Sequence, residues 1–112
     1  MSQLTTHILD TTKGKPAQGV AIVLFQQHKD EWREITAGTT NADGRIPNLL
    51  KKDVLLEPGI YKLRFGTKEY FGNQGIQTFY PFVEITFTIT GNEHYHVPLL
   101  LTPFGYSTYR GS

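Results

Sequence analysis

The stretch Val83-Glu84-Ile85-Thr86-Phe87-Thr88-Ile89-Thr90 has the strongest two-residue periodicity in the chain. Apolar residues occupy its odd-numbered positions, and Glu or Thr occupies the even-numbered ones. Because successive side chains of a β-strand point to opposite faces, this pattern predicts a strand with one buried and one exposed face. The stretch therefore indicates a sheet protein in which one face of each strand packs against a core.

The segments before and after this strand are also short, and turn-forming pairs such as Asp43-Gly44, Pro58-Gly59 and Gly91-Asn92 separate them. Strand-like patterns cover residues 4–9, 20–26, 31–40, 60–65, 83–90, 94–101 and 106–110. Residues 67–71 predict a short helix, with Thr67 as its N-cap and Gly72 at its end. Seven or eight short strands with almost no helical periodicity predict an antiparallel all-β fold, a sandwich or a barrel.

Two segments carry expectations about packing. The run Val20-Ala21-Ile22-Val23-Leu24-Phe25 is apolar at every position. Such a strand is expected to be covered on both faces, by a second sheet and by another subunit. In the next strand, Trp32 and Ile35 are expected to anchor the core.

Length and composition limit the classes of function. A chain of 112 residues is the length of a single domain, spanning residues 1–112, and it contains no Cys for disulfides, thiolate metal sites or nucleophilic catalysis. The net charge is +1 and the basic residues are scattered, so no nucleic-acid partner is expected. No apolar stretch approaches the roughly 20 residues that cross a bilayer, so no membrane partner is expected. The termini carry neither a secretory pattern nor a peroxisomal signal, so the expected location is the cytoplasm.

The residues that could carry chemistry are His and Arg. In His94-Tyr95-His96, the strand period places both imidazoles on one face and Tyr95 on the other. This spacing suits zinc ligands, hydrogen bonds within a sheet, or acid–base chemistry, and it does not decide among them. His7 lies in a mostly apolar strand, and Arg45 follows the Asp-Gly turn. No nucleophile elbow and no phosphate-binding loop occur. The residues alone indicate a β-sandwich with an imidazole–guanidinium site.

Four motifs carry a resemblance to a known family. They are residues 4–10 followed by Gly14-Lys15-Pro16-Ala17, the loop of residues 40–45, residues 94–101, and the ending Tyr106-Ser107-Thr108-Tyr109-Arg110-Gly111-Ser112. In order and spacing, over essentially the whole chain, they resemble the transthyretin-related 5-hydroxyisourate hydrolase family. In that family the Tyr-Arg-Gly-Ser ending distinguishes the hydrolases from transthyretin, a hormone carrier with the same fold.

The resemblance implies a transthyretin-like β-sandwich that hydrolyses 5-hydroxyisourate to 2-oxo-4-hydroxy-4-carboxy-5-ureidoimidazoline in urate degradation. It implies a homotetramer, a dimer of dimers, with active sites at the dimer–dimer interface and with no metal or cofactor. The implied catalytic residues are His7, Arg45 and His96. The implied substrate-binding residues are these three together with Tyr109, Arg110, Gly111 and Ser112, whereas His94 is expected to have a structural role.

Two alternatives remain open from the sequence. One is a carrier that has the same fold and binds a small aromatic ligand without chemistry. The other is a zinc hydrolase that uses His94 and His96, although no further ligands stand out.

Overall fold

A computed structural model describes residues 2–112 and arranges them in two four-stranded sheets that enclose a common core. One sheet has the strand order β2-β1-β7-β8 and the other has the order β4-β3-β5-β6. The elements are β1 (Leu4–Asp10), β2 (Lys15–Pro16), β3 (Ala21–His28), β4 (Glu31–Thr39), β5 (Gly59–Phe65), α1 (Thr67–Gly72), β6 (Val83–Ile89), β7 (Tyr95–Thr102) and β8 (Gly105–Thr108). The predicted all-β sandwich with one short helix is confirmed.

The core lies between the inward faces of the two sheets, as the two-residue periodicity predicts. On β6, Val83 and Ile89 are buried and Phe87 is half-buried, with its ring stacked 6.3 Å from the ring of Tyr61 on β5. The largest fully buried side chains come from both sheets, from α1 and from the residue before β3: Tyr61, Phe65, Phe71, Leu4, Ile8, Ile22, Leu24, Leu63, Ile89, Leu99, Leu101 and Val20. Burial of this apolar surface supplies most of the stabilisation, at roughly 25 cal/mol for each Å².

One pair of strands departs from the expected antiparallel arrangement. β1 and β7 run parallel, with Leu4 opposite Tyr95 and Asp10 opposite Leu101, while the other strand pairs are antiparallel. A short hairpin forces two strands to be antiparallel, but β1 and β7 lie near opposite ends of the chain and no turn fixes their direction. Their register puts Thr5 beside His96.

The prediction that Trp32 and Ile35 anchor the core is wrong. Their side chains are 36% and 38% exposed, because β4 is an edge strand. The ammonium group of Lys62 lies 4.3 Å from the centre of the Trp32 ring and 5.2 Å from the centre of the Phe25 ring, on the outer face of the sheet. Val23 lies on the outer face of β3 and is half-buried. That another subunit covers this outer face stays a prediction.

The N-cap of the short helix lies one residue earlier than predicted. Gly66, and not Thr67, is the N-cap of α1, and Thr67 is buried with its hydroxyl unpaired. The backbone N–H of Gly66 donates to the carbonyl of Ala21, which fixes the chain at the point where β5 leads into α1. Lys15–Pro16 forms the two-residue strand β2 and pairs with the end of β1. In the part of the chain that the structure describes, no helix is long and apolar enough to cross a membrane.

Candidate active site

The outer face of the β2-β1-β7-β8 sheet presents the histidines singled out by the sequence. Along β1 the residues Leu4, Thr6 and Ile8 are buried, so the half-buried Thr5 and His7 lie on the opposite, outer face. On β7, His96 is half-buried and follows the buried Tyr95. The parallel pairing of these two strands therefore brings the imidazoles of His7 and His96 to the same face.

The predicted arrangement of His94-Tyr95-His96 is confirmed. The imidazole rings of His94 and His96 stack with centroids 6.4 Å apart and planes 17° apart, whereas Tyr95 points inward and is 3% exposed. The hydroxyl oxygen of Thr5 lies 2.9 Å from Nε2 of His94 and 2.8 Å from Nδ1 of His96. One ring nitrogen of each imidazole is thus within hydrogen-bond distance of a single hydroxyl. Within residues 2–112, no group of three or more His, Cys, Asp or Glu side chains is arranged to hold a metal ion.

Arg45 reaches this face from a tight loop that the side chain of Asn41 organises. The Oδ1 atom of Asn41 accepts hydrogen bonds from the backbone N–H of Asp43 at 2.9 Å and of Arg45 at 3.1 Å. The backbone N–H of Asn41 donates to the carbonyl of Arg45, which closes the loop. Arg45 is exposed. A cleft of about 280 Å³ lies between this loop and Thr5.

Gly44 attaches the loop to β1. Its φ angle is +72°, and its carbonyl accepts a hydrogen bond from the backbone N–H of Ile8 at 2.9 Å. A Cβ atom at this position would lie 2.4 Å from the carbonyl oxygen of Ile8. Only glycine combines the left-handed backbone with so close an approach. The chain therefore needs Gly44 in order to hold Arg45 next to the strand that carries His7.

The imidazoles of His7 and His96 are both shifted toward their neutral form. Burial, and next the positive charge of Arg45, lower the pKa of His7, while the backbone and charge of Asp43 oppose this shift. Burial is also the largest cause that lowers the pKa of His96, followed by the charge of Arg45. The charges of His94 and His7 act in the same direction on His96, and the backbone of Thr5 opposes them. These two histidines and Arg45 therefore form one electrostatic cluster.

The C-terminal segment returns to this cluster through Gly111. The backbone N–H of Gly111 donates to the carbonyl of His96 at 2.8 Å, and a Cβ atom on Gly111 would lie 2.7 Å from Cδ2 of the His96 ring. Ser112 follows it and is exposed. Arg110 lies elsewhere: its guanidinium stacks 4.4 Å from the centre of the Tyr95 ring, on the inner side of β7.

Tyr109 is 58% exposed and lines, together with Arg110, a cleft of about 330 Å³ at the edge between the two sheets. Of the residues predicted for the site, the structure groups His7, Arg45, His96 and Gly111, with Ser112 adjacent to Gly111. It places the Tyr109 and Arg110 side chains at the neighbouring edge.

Sequence reasoning did not single out Thr5 or Asn41. Thr5 lies two residues before His7, so the strand period already places both on one face. The two-residue spacing is the available signal, but threonine is so common on exposed strand faces that the spacing alone does not indicate a functional residue. The role of Asn41 depends on its hydrogen bonds inside the loop, which the sequence does not reveal.

Two imidazoles and a guanidinium meet on one face of the β-sandwich, and side chains of these kinds can exchange protons and bind anions. The sequence model of the HIUase/Transthyretin family matches residues 4–111. The chain belongs to this family, and the resemblance drawn from its four motifs is confirmed.

Several relatives are named as hydrolases. The chain is 48% identical to the 5-hydroxyisourate hydrolase of Mus musculus over 99% of this chain and 96% of the mouse protein. The solved 5-hydroxyisourate hydrolase of Klebsiella pneumoniae superposes with a TM-score of 0.86 at 37% identity, covering 99% of this chain and 100% of that one. These names agree with the enzyme class expected from the sequence.

The fold alone does not separate the hydrolases from the carrier. Sea bream transthyretin, solved in complex with thyroxine, superposes with a TM-score of 0.91 at 38% identity, covering 97% of this chain and 94% of that one. The decision between the two activities therefore rests on the residues of the site.

Proposed function

We propose that this protein is a 5-hydroxyisourate hydrolase, which opens the substrate to 2-oxo-4-hydroxy-4-carboxy-5-ureidoimidazoline in urate degradation. The observation that carries this proposal is the cluster of His7, His96 and Arg45 on one sheet face, with both imidazoles held toward their neutral form. The hydrolase names of relatives up to 48% identical over nearly the full length support the choice of substrate.

The reaction breaks a cyclic amide-type C–N bond. Water adds its oxygen to the carbonyl carbon, and the released ring nitrogen takes up a proton. A neutral imidazole can accept the proton of the attacking water, which contributes on the order of 10²- to 10⁴-fold when it is well placed. We assign this role to His7, because burial and Arg45 both lower its pKa and keep it ready to accept a proton. His96 assists this step or holds the substrate.

Arg45 stabilises negative charge in this scheme. Its guanidinium is permanently protonated and planar, so it suits an anionic heterocycle and the oxygen that becomes negative as water attacks. The charge of Arg45 lowers the pKa of both His7 and His96, and its nearness to the two imidazoles supports this role.

The C-terminal residues complete the proposed site. Gly111 lies against His96, and we assign the Ser112 and Tyr109 hydroxyls to orienting the substrate. The contact of Arg110 with the Tyr95 ring supports a role in anchoring this segment beside the site.

We also propose that the active form is a homotetramer, a dimer of dimers, with the site at the dimer–dimer interface. The support is that the cluster lies on the outer face of a sheet, open to water on one side. A second copy placed over this face would exclude water and strengthen the electrostatic contacts with the substrate.

Replacement of each histidine tests the assignment. We expect His7→Ala and His96→Ala to lower the turnover of freshly generated 5-hydroxyisourate by about 10²-fold or more, since general acid–base groups contribute on this scale. His28→Ala, at the end of β3 in the other sheet, is the matched control and is expected to retain activity. Turnover close to that of the unmodified protein in either site variant would remove that histidine from the scheme.

A further inference from the structure

The hydroxyl of Thr5 lies between two imidazoles, and this position restricts how their protons are arranged. Its oxygen is 2.9 Å from Nε2 of His94 and 2.8 Å from Nδ1 of His96. A threonine hydroxyl has one proton to donate and lone pairs to accept with, and a neutral imidazole has one nitrogen of each kind. Thr5 can therefore donate to one of these histidines while it accepts from the other.

This restriction gives both histidines the same tautomer whenever both are neutral. If Nδ1–H of His96 donates to Thr5 and Thr5 donates to Nε2 of His94, the proton of each ring is on Nδ1. If the chain of hydrogen bonds runs the other way, the proton of each ring is on Nε2. The tautomer of His96 is thus coupled to that of His94 through one hydroxyl group.

Arg45 favours the first of these arrangements. Since Nδ1 of His96 is taken up by Thr5, Nε2 is the nitrogen left for the site, beside the ring atom Cδ2 against which Gly111 packs. A guanidinium has donors and no acceptor. Arg45 lines the same cleft as Thr5 and its positive charge acts on the His96 imidazole, so it favours a lone pair, and not an N–H, on the ring nitrogen that Thr5 leaves free.

We propose that Thr5 and His94 are positioning residues that hold His96 with its proton on Nδ1, leaving Nε2 to accept a proton or hydrogen bond in the site. The hydrogen bonds run from His96 to Thr5 and from Thr5 to His94. When Nε2 takes up a proton, both hydrogen bonds persist unchanged, so no rearrangement of the side chains accompanies the transfer. His94, which is not among the predicted catalytic residues, thereby takes part in the reaction through Thr5.

The role of His96 Nε2 in the reaction rests on the proposed function, but the tautomers of His94 and His96 can be measured without turnover. Long-range ¹H–¹⁵N correlation spectra of the ¹⁵N-labelled protein, recorded where the imidazoles are neutral, report the protonated nitrogen of each ring. We expect His94 and His96 both to carry the proton on Nδ1. In Thr5→Val we expect the tautomer of His96 to become independent of that of His94. In His94→Phe we expect the Thr5 hydroxyl to donate to Nδ1 of His96, so that the proton of His96 moves to Nε2. Opposite tautomers in the unmodified protein, or an unchanged His96 in both variants, would overturn the proposal.

The kinetic test separates positioning from a purely structural effect. Thr5→Val is expected to lower kcat by about tenfold to 100-fold with little change in KM, since part of a general acid–base contribution is lost. Thr5→Ser retains the hydroxyl and is expected to recover most of the rate, as is His94→Gln, whose side-chain oxygen can accept from Thr5. Thr11→Val is the matched control, because the Leu101 carbonyl that its hydroxyl contacts also accepts from the backbone N–H of Thr11. Equal rates for Thr5→Val and Thr5→Ser would contradict the positioning role.

If the unmodified protein fails to turn over 5-hydroxyisourate, the proposed function is wrong, while the spectra still decide whether the tautomers of His94 and His96 are coupled.

Discussion

Gly111 shows how the C-terminal segment depends on the absence of a side chain. A methyl group there would lie 2.7 Å from Cδ2 of His96, well inside van der Waals contact. Gly111→Ala is therefore expected to displace the His96 ring and lower kcat by about tenfold or more, since a displacement of about 1 Å in a site is costly. The free energy of unfolding, measured by denaturant titration, should change by less than about 1 kcal/mol, because the residue lies at the chain end.

Gly72→Ala is the matched control for this change. A Cβ atom at Gly72 meets nothing within 4 Å, and this residue lies at the end of α1 in open space. Both activity and stability are expected to stay close to those of the unmodified protein. If Gly111→Ala retained full activity as well, the contact between Gly111 and His96 would have no part in the reaction.

The two imidazoles also predict the pH dependence of the reaction. Burial first, and Arg45 next, lower the pKa of both His7 and His96, so each ring stays neutral to a pH below the ordinary histidine value of about 6.5. The acid limb of kcat/KM is therefore expected below pH 6.5. Arg45→Gln removes one cause of the depression and should move this limb to higher pH, besides lowering the rate.

Arg33→Gln, on the exposed edge strand β4, removes a positive charge away from the site and serves as the control. Arg33→Gln should leave the acid limb of kcat/KM at the same pH as in the unmodified protein. An acid limb above pH 6.5 in the unmodified protein, or one that Arg45→Gln does not move, would contradict the assignment of neutral imidazoles as the reacting groups.

At the scale of elements, the loop that carries Arg45 depends on Gly44. Gly14 and Gly44 both have a positive φ, at +65° and +72°, but a Cβ atom has open space at Gly14 and lies 2.4 Å from the Ile8 carbonyl at Gly44. Gly14→Ala should cost about 1 kcal/mol of unfolding free energy for the backbone conformation alone. Gly44→Ala should cost at least about 2 kcal/mol more and reduce activity, because the loop must move away from β1. Equal losses of stability in the two variants would show that the loop adapts without strain.

The elements were predictable where side-chain periodicity decides them. The alternation over residues 83–90 gave the buried face of β6, and the same rule placed His94 and His96 together. The direction of β1 against β7 was not predictable, since no hairpin joins them. The exposure of Trp32 depends on β4 being an edge strand, which is a property of the sheet order and not of the local sequence.

Some features of the site were likewise predictable from the local sequence, and others depend on long-range contacts. The sequence placed His7 in a mostly apolar strand without predicting its face, and Arg45 joins it only because Gly44 bonds to Ile8 across the fold. The hydroxyl bridge of Thr5 depends on the parallel register of β1 and β7, and the position of Arg110 depends on its contact with Tyr95. Such long-range contacts are decided by tertiary structure and do not follow from the periodicity; only the family motifs implied Arg110, and Thr5 was not predicted.

At the scale of the whole molecule, the proposed tetramer should determine activity. If a second copy covers the site face, the specific activity should fall on dilution in parallel with dissociation of the tetramer, as measured by analytical ultracentrifugation over the same concentration range. Leu100→Lys, on the outer face of β7, should weaken the assembly, while Leu55→Lys, in a loop and already 64% exposed, should not. A fully active monomer would contradict the placement of the site at an interface.

If the His7, His96 and Arg45 cluster makes this sandwich an enzyme and not a carrier, the protein must consume 5-hydroxyisourate catalytically. The most direct measurement is the loss of absorbance of freshly generated 5-hydroxyisourate with and without the protein, at substrate concentrations well above that of the protein. We expect many turnovers for each site, at a rate proportional to protein concentration and far above the spontaneous decay. Decay at the spontaneous rate, with the substrate or another small aromatic ligand bound but unchanged, would contradict it.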